Sequence, residues 1–125
     1  MYEKELTGLA DAGARYLVIG GIAVGLHGYV RATYDLDIFP DLASDNLDKI
    51  TSVLTFLGYS PRVPVALHEI KDPAKRASWH KEKNMKVFSF MHSQRILDTV
   101  DLMIFYSFSF DEWFARRKTI SLQGR

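Results

Sequence analysis

The sequence predicts a single-domain α/β (α+β) protein, a mixed β-sheet flanked by helices. Three observations predict it. Short apolar runs at Tyr16–Ile19 and Asp35–Phe39 bracket a glycine-containing turn. Helical periodicity follows at residues 44–57 and 72–83. Two further apolar, partly alternating runs lie at Lys86–Met91 and Thr99–Tyr106. A chain of 125 residues is long enough to close one core around these elements.

Taken in order, Glu3–Ala12 reads as a helix with Leu6, Leu9 and Ala10 on one face, ended by Gly13. The strand Tyr16–Ile19 runs into Gly20-Gly21, which opens a strand-to-helix turn and a short helix. A second strand, Asp35–Phe39, is stopped by Pro40 and Asp41. Ser44 or Asp45 then caps a helix whose buried stripe is Leu47, Ile50, Val53, Leu54 and Leu57, with Gly58 at its C′ position. Pro61 and Pro64 make residues 59–70 either an edge strand or an extended loop. Asp72 as N-cap and Pro73 at N1 start a helix that runs to about Lys83 and stops at Asn84. The runs Lys86–Met91 and Thr99–Tyr106 form antiparallel strands joined by a connection longer than a tight hairpin. Ser109 and Glu112 form a capping box for a short helix carrying Trp113 and Phe114, and Thr119–Leu122 reads as a last strand.

Composition narrows the function classes. A net charge of +1 leaves no basic footprint for nucleic acid, without excluding an RNA substrate. No cysteine is present, which removes disulfides and thiolate metal sites. The longest mostly apolar run, Leu17–Leu26, is too short to span a bilayer, and the N-terminus lacks a signal-peptide pattern. The expected partners therefore include no membrane, and the expected compartment is the cytoplasm.

The chemistry concentrates in the stretch 16–39. Asp35 and Asp37 stand at i and i+2 of a strand and so share a face, while Leu36 and Ile38 take the other. Their α-carbons lie about 6.6 Å apart, close enough for both carboxylates to converge on divalent ions that relieve their repulsion. Free N–H groups at the Gly20-Gly21 turn are suited to a phosphate. A third acid, Asp101, interrupts the apolar run Val100–Phe105, where an unpaired charge is costly. If its strand neighbours Asp35–Phe39, three carboxylates meet. Such a cluster around two metal ions is suited to in-line phosphoryl or nucleotidyl transfer, with Mg²⁺ the expected ion and Mn²⁺ a substitute.

Gly20-Gly21, thirteen residues, Asp35-Leu36-Asp37 and a later strand Asp101 resemble the nucleotidyltransferase superfamily that includes DNA polymerase beta and the kanamycin and lincosamide nucleotidyltransferases. The segment His27-Gly28-x-x-Arg31-x-Thr33-x-Asp35-x-Asp37 is most similar to small bacterial members related to abortive-infection toxins. The resemblance implies a nucleotidyltransferase-like sheet. It implies that Asp35 and Asp37 bind the metals. It gives Asp101 one metal and the proton of the attacking hydroxyl, and Gly20-Gly21 the β- and γ-phosphates of an NTP. Gly21 stands where many members have serine, so phosphate contacts there would be through backbone alone. Such proteins usually continue into helices that shape the nucleotide and acceptor pocket. Residues 1–125 read as the nucleotidyltransferase-like domain without that extension, leaving a neighbouring subunit to complete the site or an open pocket of weak or absent activity.

The expected reaction is transfer of an NMP from an NTP to an acceptor hydroxyl, with release of pyrophosphate. The acceptor is left open among an antibiotic, a tRNA end and a protein side chain. Rival readings are a degenerate member that binds nucleotide or a partner without turnover, a metal-dependent phosphohydrolase, and a toxin–antitoxin component. Each residue also has a plainer role. The diglycine can serve turn sterics alone, and Asp-x-Asp is common on exposed strand ends. Asp101 can pair with Arg31 or Arg95, and His27 can be an ordinary helix-face histidine. Arg31 and Thr33 are expected to orient the carboxylates or contact phosphate, against surface solvation and β-propensity as alternatives. The basic stretch Lys71, Lys75, Arg76, Lys81, Lys83 and Lys86 reads as a solvated helix face, and Trp79, Trp113 and Phe114 as core or interface packing. Aromatic residues near a terminal strand edge would suit a homodimer.

Overall fold

Strict alternation along one strand sets the two faces of the sheet. In the computed structural model, which describes residues 2–19 and 35–117, β2 (Asp35–Pro40) buries Leu36 and Ile38 completely and leaves Asp35 and Asp37 on the other side. Five strands line up in the order β1-β2-β5-β4-β3, with β1 Tyr16–Ile19, β3 Tyr59–Pro61, β4 Val87–His92 and β5 Thr99–Met103. The central pair β2–β5 is parallel, and every other pairing is antiparallel. The result is a mixed sheet with helices, a single small domain of the α+β class, as the sequence predicts.

The buried face joins Leu36 and Ile38 to Val100, Leu102, Ile104, Phe88 and Phe90. Onto it pack Leu6 and Leu9 of α1 (Glu3–Asp11), Ile50 and Leu54 of α2 (Ser44–Phe56), and Trp79 of α3 (Pro73–Lys83). A 3₁₀ turn, Leu67–Lys71, adds Ile70. Among the described residues no helix is long and apolar enough to cross a membrane.

The helix ends follow local chemistry in most places. Asp72 accepts a hydrogen bond from the Ala74 amide at 2.9 Å with Pro73 behind it, and Asn84 closes α3 in the left-handed region. Ser109 accepts from the Glu112 amide to open α4 (Phe110–Ala115). Expectations for α1 and α2 fail. Ala10 is exposed, and the buried position on α1 belongs instead to Glu5, 3% accessible. Glu5 accepts from Tyr59 Oη at 2.7 Å and from Arg95 at 3.1 Å, so its charge is held by partners distant in sequence. Neither Ser44 nor Asp45 caps α2. Its N-cap is Ala43, whose amide donates to Asp41, while Asn46 accepts from the Arg15 amide and donates to the Arg15 and Asp41 carbonyls. The first turn of α2 is thereby tied to the start of β1.

The run to Tyr106 leaves the sheet early. Ile104 donates to the Lys86 carbonyl, after which Phe105 stacks on His80 and Tyr106 turns onto Phe39. Trp79 is core, as expected. Trp113 leans on Phe108 with 52% of its surface exposed. Arg76 is buried and donates to the Ile70 carbonyl at 2.6 Å, so it leaves the solvated face expected of its basic neighbours. The expected helix after the diglycine and the expected strand Thr119–Leu122 lie outside the described residues.

Two glycines test the turn chemistry. Gly13 ends α1 at φ +72° with open space around a built Cβ, whereas at Gly58, φ +98°, a Cβ would stand 2.9 Å from His92 Nε2. That nitrogen donates to the Leu57 carbonyl at 2.8 Å. We expect Gly13→Ala to cost about 1 kcal/mol from backbone strain alone. Gly58→Ala should cost roughly 2–4 kcal/mol because it adds a clash and displaces His92. Urea denaturation of the two variants checks the ranking, and equal losses would remove His92 from the explanation.

Candidate active site

The half-exposed face of the sheet carries the acids. Asp37 stands opposite Asp101 in the parallel β2–β5 register, and Asp35 opposite Thr99. On the far side of β5, Ser89 faces Asp101 in the antiparallel β4–β5 register. β1 ends at Ile19, paired with Asp37. One transverse row therefore contains Asp37, Asp101 and Ser89, all half-buried, with the exposed Asp35 two residues earlier along β2.

Electrostatics mark the pair. The Asp37 carboxyl is held above the ordinary carboxylate range, first by burial, then by the negative charges of Asp101 and Asp35. A hydrogen bond to Asp101, which Asp37 donates when protonated, acts in the same direction. Ser89 Oγ donates to Asp101 Oδ1 at 2.6 Å. Arg95, one of the two arginines weighed as a partner for Asp101, is not paired with it, and the other, Arg31, lies outside the described residues. Arg95 donates instead to Asp98 and Glu5.

The start of β5 is pinned close by. Tyr2 Oη accepts from the Thr99 amide at 3.1 Å and donates to the Thr99 carbonyl at 3.2 Å. Burial, above all, pushes this phenol up to about 12, and the Asp35 charge adds to the shift. It therefore stays protonated and keeps its donor.

Of the residues singled out in the sequence, Asp35, Asp37 and Asp101 are brought to one face. Gly20, Gly21, His27, Arg31 and Thr33 lie outside the described residues. Among the described residues, no group of three or more acids and histidines is arranged as a metal cage. What they supply is a two-carboxylate core. Its donors are all oxygen, the type a hard divalent cation takes. Ser89 escaped the sequence reading. Its only signal there is a polar residue between Phe88 and Phe90, on the same side of the alternation as Val87 and Met91. Comparison with family models, curated proteins and solved structures finds no match.

The sign of the Asp37 shift gives a test. Its folded pKa is raised, so the stability linked to protonation is fully present below the unfolded pKa of about 3.9. That stability is lost as pH rises through the folded value. At pH 7 without divalent ions, Asp37→Asn should melt above the wild type, because asparagine keeps a donor for Asp101 and removes the repelling charge. The gap should narrow as the pH is lowered toward the unfolded pKa. It should shrink or reverse in millimolar Mg²⁺. A variant that melts below the wild type at pH 7 in chelator would remove like-charge repulsion as the cause.

Proposed function

We propose that this chain is a metal-dependent nucleotidyltransferase that moves a nucleoside monophosphate from an NTP to an acceptor hydroxyl and releases pyrophosphate. The observation that carries the reading is the in-register placement of Asp37 beside Asp101 on neighbouring parallel strands, with Asp35 two residues earlier. In-line transfer between two oxyanions needs concentrated positive charge, and adjacent carboxylates are the side chains that hold it.

In this reading Asp37 and Asp101 would hold Mg²⁺ or Mn²⁺, and the role of Asp35 beside them rests on its spacing in the sequence. The ion would neutralise triphosphate oxygens and the charge that builds on the leaving pyrophosphate. Asp101 has the further role of taking the proton from the acceptor hydroxyl. Burial and, after it, the Asp101 and Asp35 charges disfavour the ionised Asp37, and a bound cation would offset both. The phosphate-holding roles of Gly20, Gly21, Arg31 and Thr33, with His27 in support, rest on their spacing in the sequence. The acceptor remains open among antibiotics, tRNA ends and protein hydroxyls.

Thermal melts with each NTP, with and without Mg²⁺, test the reading first. An NTP at about 100 times its dissociation constant should add roughly 2.7 kcal/mol. The gain should need both nucleotide and metal and should disappear in Asp37→Ala and Asp101→Ala. α-³²P-labelled NTPs with candidate acceptors then test turnover. Binding without labelled product would favour a nucleotide- or partner-binding protein, and release of orthophosphate in place of pyrophosphate would favour a hydrolase.

A further inference from the structure

We propose that Ser89 is a positioning residue of the acidic site, holding the Asp101 carboxylate in place beside Asp37. The inference rests on the nucleotidyltransfer reading and assigns that site a residue from a third strand.

The Ser89 Oγ to Asp101 Oδ1 separation of 2.6 Å falls where a hydroxyl donating to a carboxylate forms a strong, charge-assisted bond. Rotation about an aspartate's last torsion is broad, so strand geometry alone leaves the carboxylate plane loosely set. Asp101 has a like-charged neighbour on one side, Asp37, and the Ser89 hydroxyl on the other. Without the hydroxyl, Oδ1 loses its anchor on the β4 side and the carboxylate plane is free to turn relative to Asp37, loosening the pair that would hold a cation.

The residue type fits the task. An arginine or lysine at this position would neutralise Asp101 and compete with a divalent ion. A hydroxyl orients one oxygen and leaves the full negative charge in place. Serine is a modest strand former between two aromatic residues, so its place in β4 is not explained by propensity. Phe88 and Phe90 are completely buried on the opposite face. Their burial locks the β4 register and keeps residue 89 in the acidic row.

Mn²⁺ binding, measured by calorimetry on the full chain, tests the proposal. Threonine and valine match in shape and strand propensity, so Ser89→Thr and Ser89→Val differ essentially by the hydroxyl. We expect Ser89→Thr to bind within about threefold of wild type, and Ser89→Val and Ser89→Ala to bind roughly tenfold more weakly. The Thr and Val variants should both unfold cooperatively in chelator, the Val variant at a lower temperature because it lacks the hydrogen bond to Asp101. Wild-type affinity in the Val and Ala variants would overturn the positioning role while leaving the metal site standing. A wild type that binds no Mn²⁺ would overturn the underlying reading and this inference with it.

Discussion

The parallel pairing of β2 with β5 is the constraint on which the site depends. It sets Leu36 and Ile38 beside Val100 and Leu102 on the buried face, and by the same register sets Asp37 beside Asp101 on the other. A slip of one residue in either strand would put carboxylates into the core and apolar side chains into solvent. The core therefore enforces a contact that the acids themselves disfavour. Repulsion between two carboxylates is tolerated because the burial on the reverse side over-determines their placement.

Much of this arrangement was legible in the sequence because it is local. Alternation in Asp35–Phe39 predicts the two faces of β2, and Asp72-Pro73 predicts the start of α3, since both depend only on neighbouring residues. Asp101 stands out as a charge within an apolar run, and that too is local. The strand order is not local, and Ser89 has meaning only once β4 is known to lie against β5. Glu5 shows the same limit. Read along α1 it is a first-turn acid suited to solvent, yet Tyr59 and Arg95, both far along the chain, make it a core residue. Asn46 likewise looks like a first-turn polar residue and in fact binds the backbone of Arg15.

The connection between β4 and β5 is held in shape by side chains. His92 Nδ1 accepts from the amides of Gln94 and Arg95, and Nε2 donates to the Leu57 carbonyl, so one ring shapes the turn and ties it to the end of α2. Arg95 then bridges Asp98 and the buried Glu5. Burial and the adjacent Glu5 carboxylate push the Tyr59 phenol well up, so it remains a donor to that carboxylate. Each contact takes a degree of freedom from the chain immediately ahead of β5.

Both ends of the central strand pair are held by phenols. At the Asp35/Thr99 end, Tyr2 Oη bonds both backbone groups of Thr99. At the other, Tyr106 Oη donates to the Pro40 carbonyl at 2.7 Å, with Phe39 edge-on to Tyr106 and Phe108. Burial raises the Tyr106 phenol to about 12, as it does Tyr2, so neither donor is lost near neutral pH. Between these pins lie the carboxylates. Groups carried on paired strands and fixed at both ends keep their spacing better than groups on loops. Relief of the Asp37–Asp101 repulsion by moving the strands apart is therefore opposed at both ends. What remains is neutralisation of Asp37, which its burial and then the neighbouring acid charges both favour.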